Sequence, residues 1–140
     1  MASPPNIPPW WSDKRSEEDA EQAIKLGVDA IIVSNHGGRQ IDVGESSISS
    51  LRRIAAAYGD RPPVMMDSGI RSGPDIARTL ACGAAFAFLG RPFMYGVAAL
   101  GEAGGNHTIA ILKAQLQQLM EQICCETIED FPSHLIDGTV

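Results

Sequence analysis

Seven consecutive residues, Ser34-Asn35-His36-Gly37-Gly38-Arg39-Gln40, combine a group for proton transfer with a group for anion recognition. His36 can take or give a proton near neutral pH. Arg39, three residues on, offers a planar fork that suits a carboxylate or a phosphate. The glycines between them let the loop turn sharply and let a flat ligand lie against backbone. The stretch begins where the apolar run Ala30-Ile31-Ile32-Val33 stops. Parallel α/β folds carry their chemistry on such loops, where rigid strands aim side chains into a shared cleft. Two later loops complete the set, Asp67-Ser68-Gly69-Ile70-Arg71 and Gly90-Arg91. Gly69, Arg71, Gly90 and Arg91 suit a phosphate, which binds well to glycine N–H groups, a helix N-terminus and nearby cations.

The elements that must position these loops are legible from punctuation and apolar spacing. Residues 1–15 are rich in proline and carry Trp10-Trp11. Proline blocks helix and central strand, so this part reads as irregular, with the tryptophans as an exposed apolar feature. Ser16 with Glu17, Glu18 and Asp19 reads as a helix N-cap and an acidic first turn. That helix runs to about Leu26 and stops at Gly27, and Val28 to Val33 follows as a buried strand. Ser46 or Ser47 caps a second helix with Ile48, Leu51, Ile54 and Ala55 on its apolar face. Gly59 ends it, and Val64-Met65-Met66 is the next strand.

Ser72 caps a helix over 73–82, with Pro74 tolerated in its first turn. Ala85 to Leu89 form a third strand, and Met65-Met66 and Phe86-Phe88 are expected as core residues. Pro92 starts a short helix to about Gly101. Asn106 caps a long helix over 107–125, with Ile109, Leu112, Leu116, Leu119 and Ile123 inward. The tail from 127 to 140 reads as loose. Alternating helices and strands with short loops imply parallel strands and right-handed crossovers. The fold class is therefore α/β, and near-constant βα units point to the C-terminal part of a (β/α)8 barrel: about three βα units plus a long C-terminal helix, spanning 16–126.

Composition narrows the partners. The chain of 140 residues is 44% hydrophobic and carries a net charge of −6, which argues against nucleic acid or an anionic membrane surface. No apolar run approaches the roughly 20 residues a membrane span requires, and Met1 to Ser12 lacks the features of a signal peptide. Three cysteines, two of them adjacent, suit a reducing compartment, and a cytoplasmic location is expected. Cys124-Cys125 lacks the spacing of a metal or redox motif, and no metal is expected. His107 and His134 read as structural.

Residues 18–125 resemble the C-terminal part of the FMN-dependent L-2-hydroxy acid dehydrogenases and oxidases. The matching pieces run from Gly27 to Gln40, from Asp67 to Gly73, and through Gly90-Arg91-Pro92. The resemblance implies a TIM barrel binding FMN at its C-terminal face. It implies that His36 is the base accepting the substrate proton as a hydride or its equivalent leaves for the flavin. Arg39 would pair with the carboxylate of a small 2-hydroxy acid, such as lactate or glycolate. Ser34 would contact the flavin ring and Asp67 the ribityl hydroxyls, with Ser68 beside it. Gly69, Arg71, Gly90 and Arg91 would hold the phosphate.

Three departures stand out. The family's lysine at the end of the preceding strand falls on Ser12, and that strand, replaced by Ile7-Pro8-Pro9-Trp10-Trp11, is expected to be distorted or absent. Ser68 replaces a glycine of the family pattern and is expected to strain the backbone. The family's N-terminal half of the barrel has no counterpart. The expected partners are thus a small 2-hydroxy acid and either a complementary N-terminal portion or a second copy. The alternative is a catalytically inactive partial barrel that keeps only FMN or phosphate binding, or self-associates.

Overall fold

The structure, a computed structural model, describes residues 10–12, 16–39, 43–59 and 62–136. Four parallel strands form one sheet in the order β1-β2-β3-β4: β1 (Trp10–Ser12), β2 (Ala30–Val33), β3 (Val64–Met66) and β4 (Phe86–Ala87). Helices α1 (Glu17–Lys25), α2 (Ser47–Tyr58) and α3 (Gly73–Ala81) make the crossovers, and α4 (Arg91–Leu100) and α5 (Gly104–Gln122) follow β4. The strand expected to be distorted or absent is present as β1: its backbone pairs with β2, Trp10 opposite Ala30 and Ser12 opposite Ile32. The prolines before it fall on residues 1–9, outside the described residues.

The helix starts follow from local chemistry. Ser16 Oγ accepts the Asp19 N–H at 3.1 Å, and Ser72 and Asp75 form a reciprocal capping box on α3. Burial works to raise the Asp75 carboxyl, but the Ser72 hydroxyl, the Arg71 and Ser72 N–H groups and Arg78 together hold it below its ordinary value. A depressed carboxyl stabilises the fold above its unfolded value of about 3.9, and that contribution is lost as pH falls through the lower folded value. Ser72→Ala is expected to cost about 1 kcal/mol in urea unfolding at pH 7. The cost should shrink below the carboxylate range, as Asp75 protonates in the wild type too.

The core lies on one face of the sheet. Ile31, Val33, Val64 and Met66 point to the helices and pack with Ala20, Ala23, Leu51 and Ile54, all nearly or fully buried. Leu51 has no exposed surface, so Leu51→Ala should cost about 3 kcal/mol in urea unfolding through lost burial and a residual cavity. The opposite face carries Ile32, Met65 and Phe86 in register across three strands. There Phe86 is 55% and Phe88 41% exposed, their rings 5.0 Å apart and tilted. This corrects the expectation of core phenylalanines: the inner face of a barrel strand is covered only by strands across the barrel, and four strands do not close one.

Other boundaries move for reasons of packing. Residues Gly27 to Asp29 serve the α1 exit, with Gly27 at φ 80° and the Val28 N–H returning to Ala23 O, so β2 starts only at Ala30. α5 begins at Gly104 with no side-chain cap, ahead of the expected Asn106. The glycine allows two helices to touch, since a Cβ there would lie 2.1 Å from Gly96 O of α4. Ile109, expected inward, is 46% exposed, whereas Leu112 is buried. The expected loose tail holds a 3-10 helix, Ile128–His134, started by a Thr127–Asp130 capping box and anchored by buried Phe131 against the α3–α5 side.

Candidate functional site

The three strand-end loops meet above the carboxyl edge of the sheet, where parallel α/β folds place ligands. One cavity of about 380 Å³ is walled by eight of the nine residues expected to act there: His36, Arg39, Asp67, Ser68, Gly69, Arg71, Gly90 and Arg91. Ser34, the ninth, lies buried beneath the first loop, where its Oγ accepts the His36 N–H at 3.1 Å. The volume falls within the roughly 300–1,000 Å³ range usual for small-ligand sites.

The first loop is built by self-capping. Asn35 Oδ1 accepts the Gly37 N–H at 2.9 Å and Asn35 O the Gly38 N–H at 2.9 Å, which closes a tight left-handed turn over His36–Gly38. His36 (φ 51°), Gly37 (φ 69°) and Gly38 (φ 75°) all adopt left-handed backbone. For a histidine that conformation is costly, and such strain gathers at sites where surrounding structure enforces it. The loop presents His36 and Arg39 exposed on the cavity wall.

The other two loops are fastened to the first. Ser68 Oγ accepts N–H groups from Gly37 at 3.1 Å and Asn35 at 3.4 Å, while its proton goes to Asp67 Oδ1 at 2.6 Å. Ser68 adopts φ 73°, the strained backbone expected there. Arg91 donates from Nη2 to Gly37 O at 2.6 Å. The N–H and C=O of Gly37 therefore tie all three loops together, and a Cβ at Gly37 would meet Arg91 Nη2 at 2.1 Å. From behind, α5 supports the second loop: Gln115 Oε1 accepts the Gly73 N–H at 2.9 Å.

Three guanidiniums and one carboxylate, Asp67, line this cavity. Arg71 donates to its neighbour's carbonyl, Ile70 O, at 3.0 Å, and no acidic partner is recorded for Arg39, Arg71 or Arg91 among the described residues. α4 begins at Gly90-Arg91 with no side-chain cap; Pro92 has no N–H and the Phe93 N–H donates to Gly90 O at 3.1 Å, so what this start brings to the cavity wall is the Gly90-Arg91 backbone and the positive end of the helix dipole. Cations, glycine backbone and an uncapped helix start fit a phosphate monoester, and Asp67 beside them fits hydroxyl donors. The donor set therefore suits FMN.

The sequence reasoning missed the apolar part of the wall, Ile70, Phe88, Leu89 and Met94. Their signal was position, since they sit at the strand ends and in the first turn of α4. A separate cavity of about 200 Å³ lies on the other side of the 67–70 loop, walled by Ile48, Met66 and Thr79, and includes none of these three arginines. Among the described residues no cluster of three or more metal-binding side chains occurs.

Residues 15–138 match the family model of the FMN-dependent dehydrogenases. The chain belongs to this family. It is 43% identical over 121 residues to the 2-hydroxyacid oxidase 2 of Rattus norvegicus, covering 86% of this chain and 34% of that protein. It is 40% identical over 119 residues to an L-lactate oxidase of a Nostoc strain, covering 85% and 33%. A soluble mutant of the membrane-associated (S)-mandelate dehydrogenase of Pseudomonas putida superposes with a TM-score of 0.85 at 39% identity, over 92% of this chain and 37% of that one. The chain thus spans about a third of the length of the relatives it matches. The sheet with its helices is a partial α/β barrel, and the family's cofactor is FMN. No helix among the described residues is long and apolar enough to cross a membrane.

Proposed function

We propose that this chain supplies the catalytic loop and the phosphate side of an FMN-dependent L-2-hydroxy acid oxidoreductase, which converts a small lactate- or glycolate-like acid to its 2-oxo acid. One observation carries the reading: a proton acceptor, His36, and a carboxylate fork, Arg39, share a cavity with the glycines and arginines that fit a phosphate. His36 takes the proton of the substrate while Arg39 pairs with its carboxylate, which fixes the alcohol carbon relative to the imidazole. Gly69, Arg71, Gly90 and Arg91 hold the cofactor phosphate, Asp67 and the Ser68 segment the ribityl region, and Ser34 the ring. FMN, when bound, supplies the flat two-electron acceptor.

The open sheet face with Phe86 and Phe88, and the exposed Met94, Tyr95, Val97 and Leu100 on α4, need a cover. The N-terminal βα units of a complete barrel provide one, and a second copy of the chain is the competing cover. The cytoplasm is the proposed location on cysteine content alone, and two Arabidopsis relatives are named as peroxisomal. The test is a chimaeric barrel in which this chain replaces the corresponding third of a relative, loaded with FMN. L-Lactate or glycolate should bleach the oxidised flavin without oxygen. No bleaching by either acid, with flavin bound, would contradict the proposal.

A second reading is a binding module that keeps the FMN or phosphate site without turnover. It is favoured by Ser12, which occupies the last position of β1 where the resemblance calls for a lysine. Flavin binding by the chain with no bleaching in the chimaera is its signature.

A further inference from the structure

We infer that Ser68 is a positioning residue whose hydroxyl sets both the His36–Arg39 loop and the Asp67 carboxylate in the geometry that binds the cofactor. The inference rests on the proposed FMN site and adds a residue-specific device to it. Ser68 Oγ lies at a junction: it accepts from Gly37 N–H at 3.1 Å and Asn35 N–H at 3.4 Å, and it donates to Asp67 Oδ1 at 2.6 Å. With both acceptor positions and its one proton engaged by the protein, the hydroxyl has nothing left for a ligand. Its hydrogen bonds serve the two loops instead.

Two consequences follow from this wiring. Asp67 Oδ1 is committed to Ser68, and no hydrogen bond is recorded for Oδ2 among the described residues, so Oδ2 is the oxygen left for ligand hydroxyls. Gly37 is gripped on its N–H by Asn35 and Ser68 and on its carbonyl by Arg91. The base-bearing loop is therefore held from the same two loops that fit the ribityl chain and the phosphate. Ser68 keeps this role despite φ 73°, a backbone region where glycine is far more comfortable. The hydroxyl is the reason a residue with a side chain is useful there.

Ser68→Gly and Ser68→Ala separate the hydroxyl from the backbone. Both delete the hydroxyl, but only glycine relieves the left-handed φ, so the Gly variant should melt higher than the Ala variant. FMN affinity of the chain is read by quenching of flavin fluorescence, together with amide hydrogen exchange at Asn35 and Gly37. The inference expects both variants to bind FMN about tenfold more weakly than wild type, equally despite their different melting temperatures, with faster exchange at both amides. Wild-type affinity in the Gly variant, or affinity that follows melting temperature, would overturn it. A wild-type chain that binds no FMN would instead overturn the proposed site itself, and this inference with it.

Discussion

In the chimaeric barrel, His36→Asn should lower kcat by about a thousandfold, within the range that positioned acid–base groups contribute. Asparagine is the informative replacement because position 36 has φ 51°, a conformation that asparagine tolerates better than most residues. The loop should then keep its shape, with Gly37 still tied to Asn35, Ser68 and Arg91. FMN affinity and KM should stay within a few-fold of the parent, since neither the phosphate cradle nor the carboxylate fork is touched. Steady-state kinetics with L-lactate and a flavin titration check both halves of the expectation. A kcat within threefold of the parent would remove His36 as the base.

Arg39→Met should leave FMN binding intact and lower kcat/KM by about thirtyfold, or about 2 kcal/mol, the order of a charge-assisted hydrogen-bonded contact to a carboxylate. Arg39 is exposed on the cavity wall, so solvent screening sets the figure below that of a fully buried pair. Arg39→Lys should restore only part of the loss, because an ammonium is a point charge and cannot hold both carboxylate oxygens in one plane. Full activity in the lysine variant would indicate that general attraction, rather than a bidentate fork, is all the substrate needs. The same substitutions should change little in the binding of FMN, whose phosphate lies with Arg71 and Arg91.

The loops that carry the site were legible because their signals are local. Ser16 and Ser72 stand at helix starts as their side-chain chemistry dictates, and Gly27, Gly59 and Gly83 take positive φ where helices end. The strand-end positions of His36, Asp67 and Arg91 follow from the same punctuation. What was misread depends on contacts far apart in sequence. The start of α5 is set by Gly104 meeting Gly96, not by the capping ability of Asn106. Phe86 and Phe88 look like core residues from their strand pattern, and only the sheet register shows them on the uncovered face. The helix at Ile128–His134 did have a local signal, the Thr127–Asp130 box, hidden among acidic residues that read as a tail. The link between Ser68 and Gly37 spans 31 residues and has no sequence signature at all.

The central claim is that three separate loops form one anion-binding cavity around Gly37. Amide NMR of the 14.9 kDa chain during titration with FMN measures this directly. The amide signals of Gly37, Gly69 and Gly90, one from each loop, should move together along a single saturation curve, and excess inorganic phosphate should return Gly37 to its free position while Gly69 and Gly90 go to a phosphate-bound one. Shifts confined to the 200 Å³ cavity around Ile48 and Thr79, or three loops responding with unrelated midpoints, would contradict it.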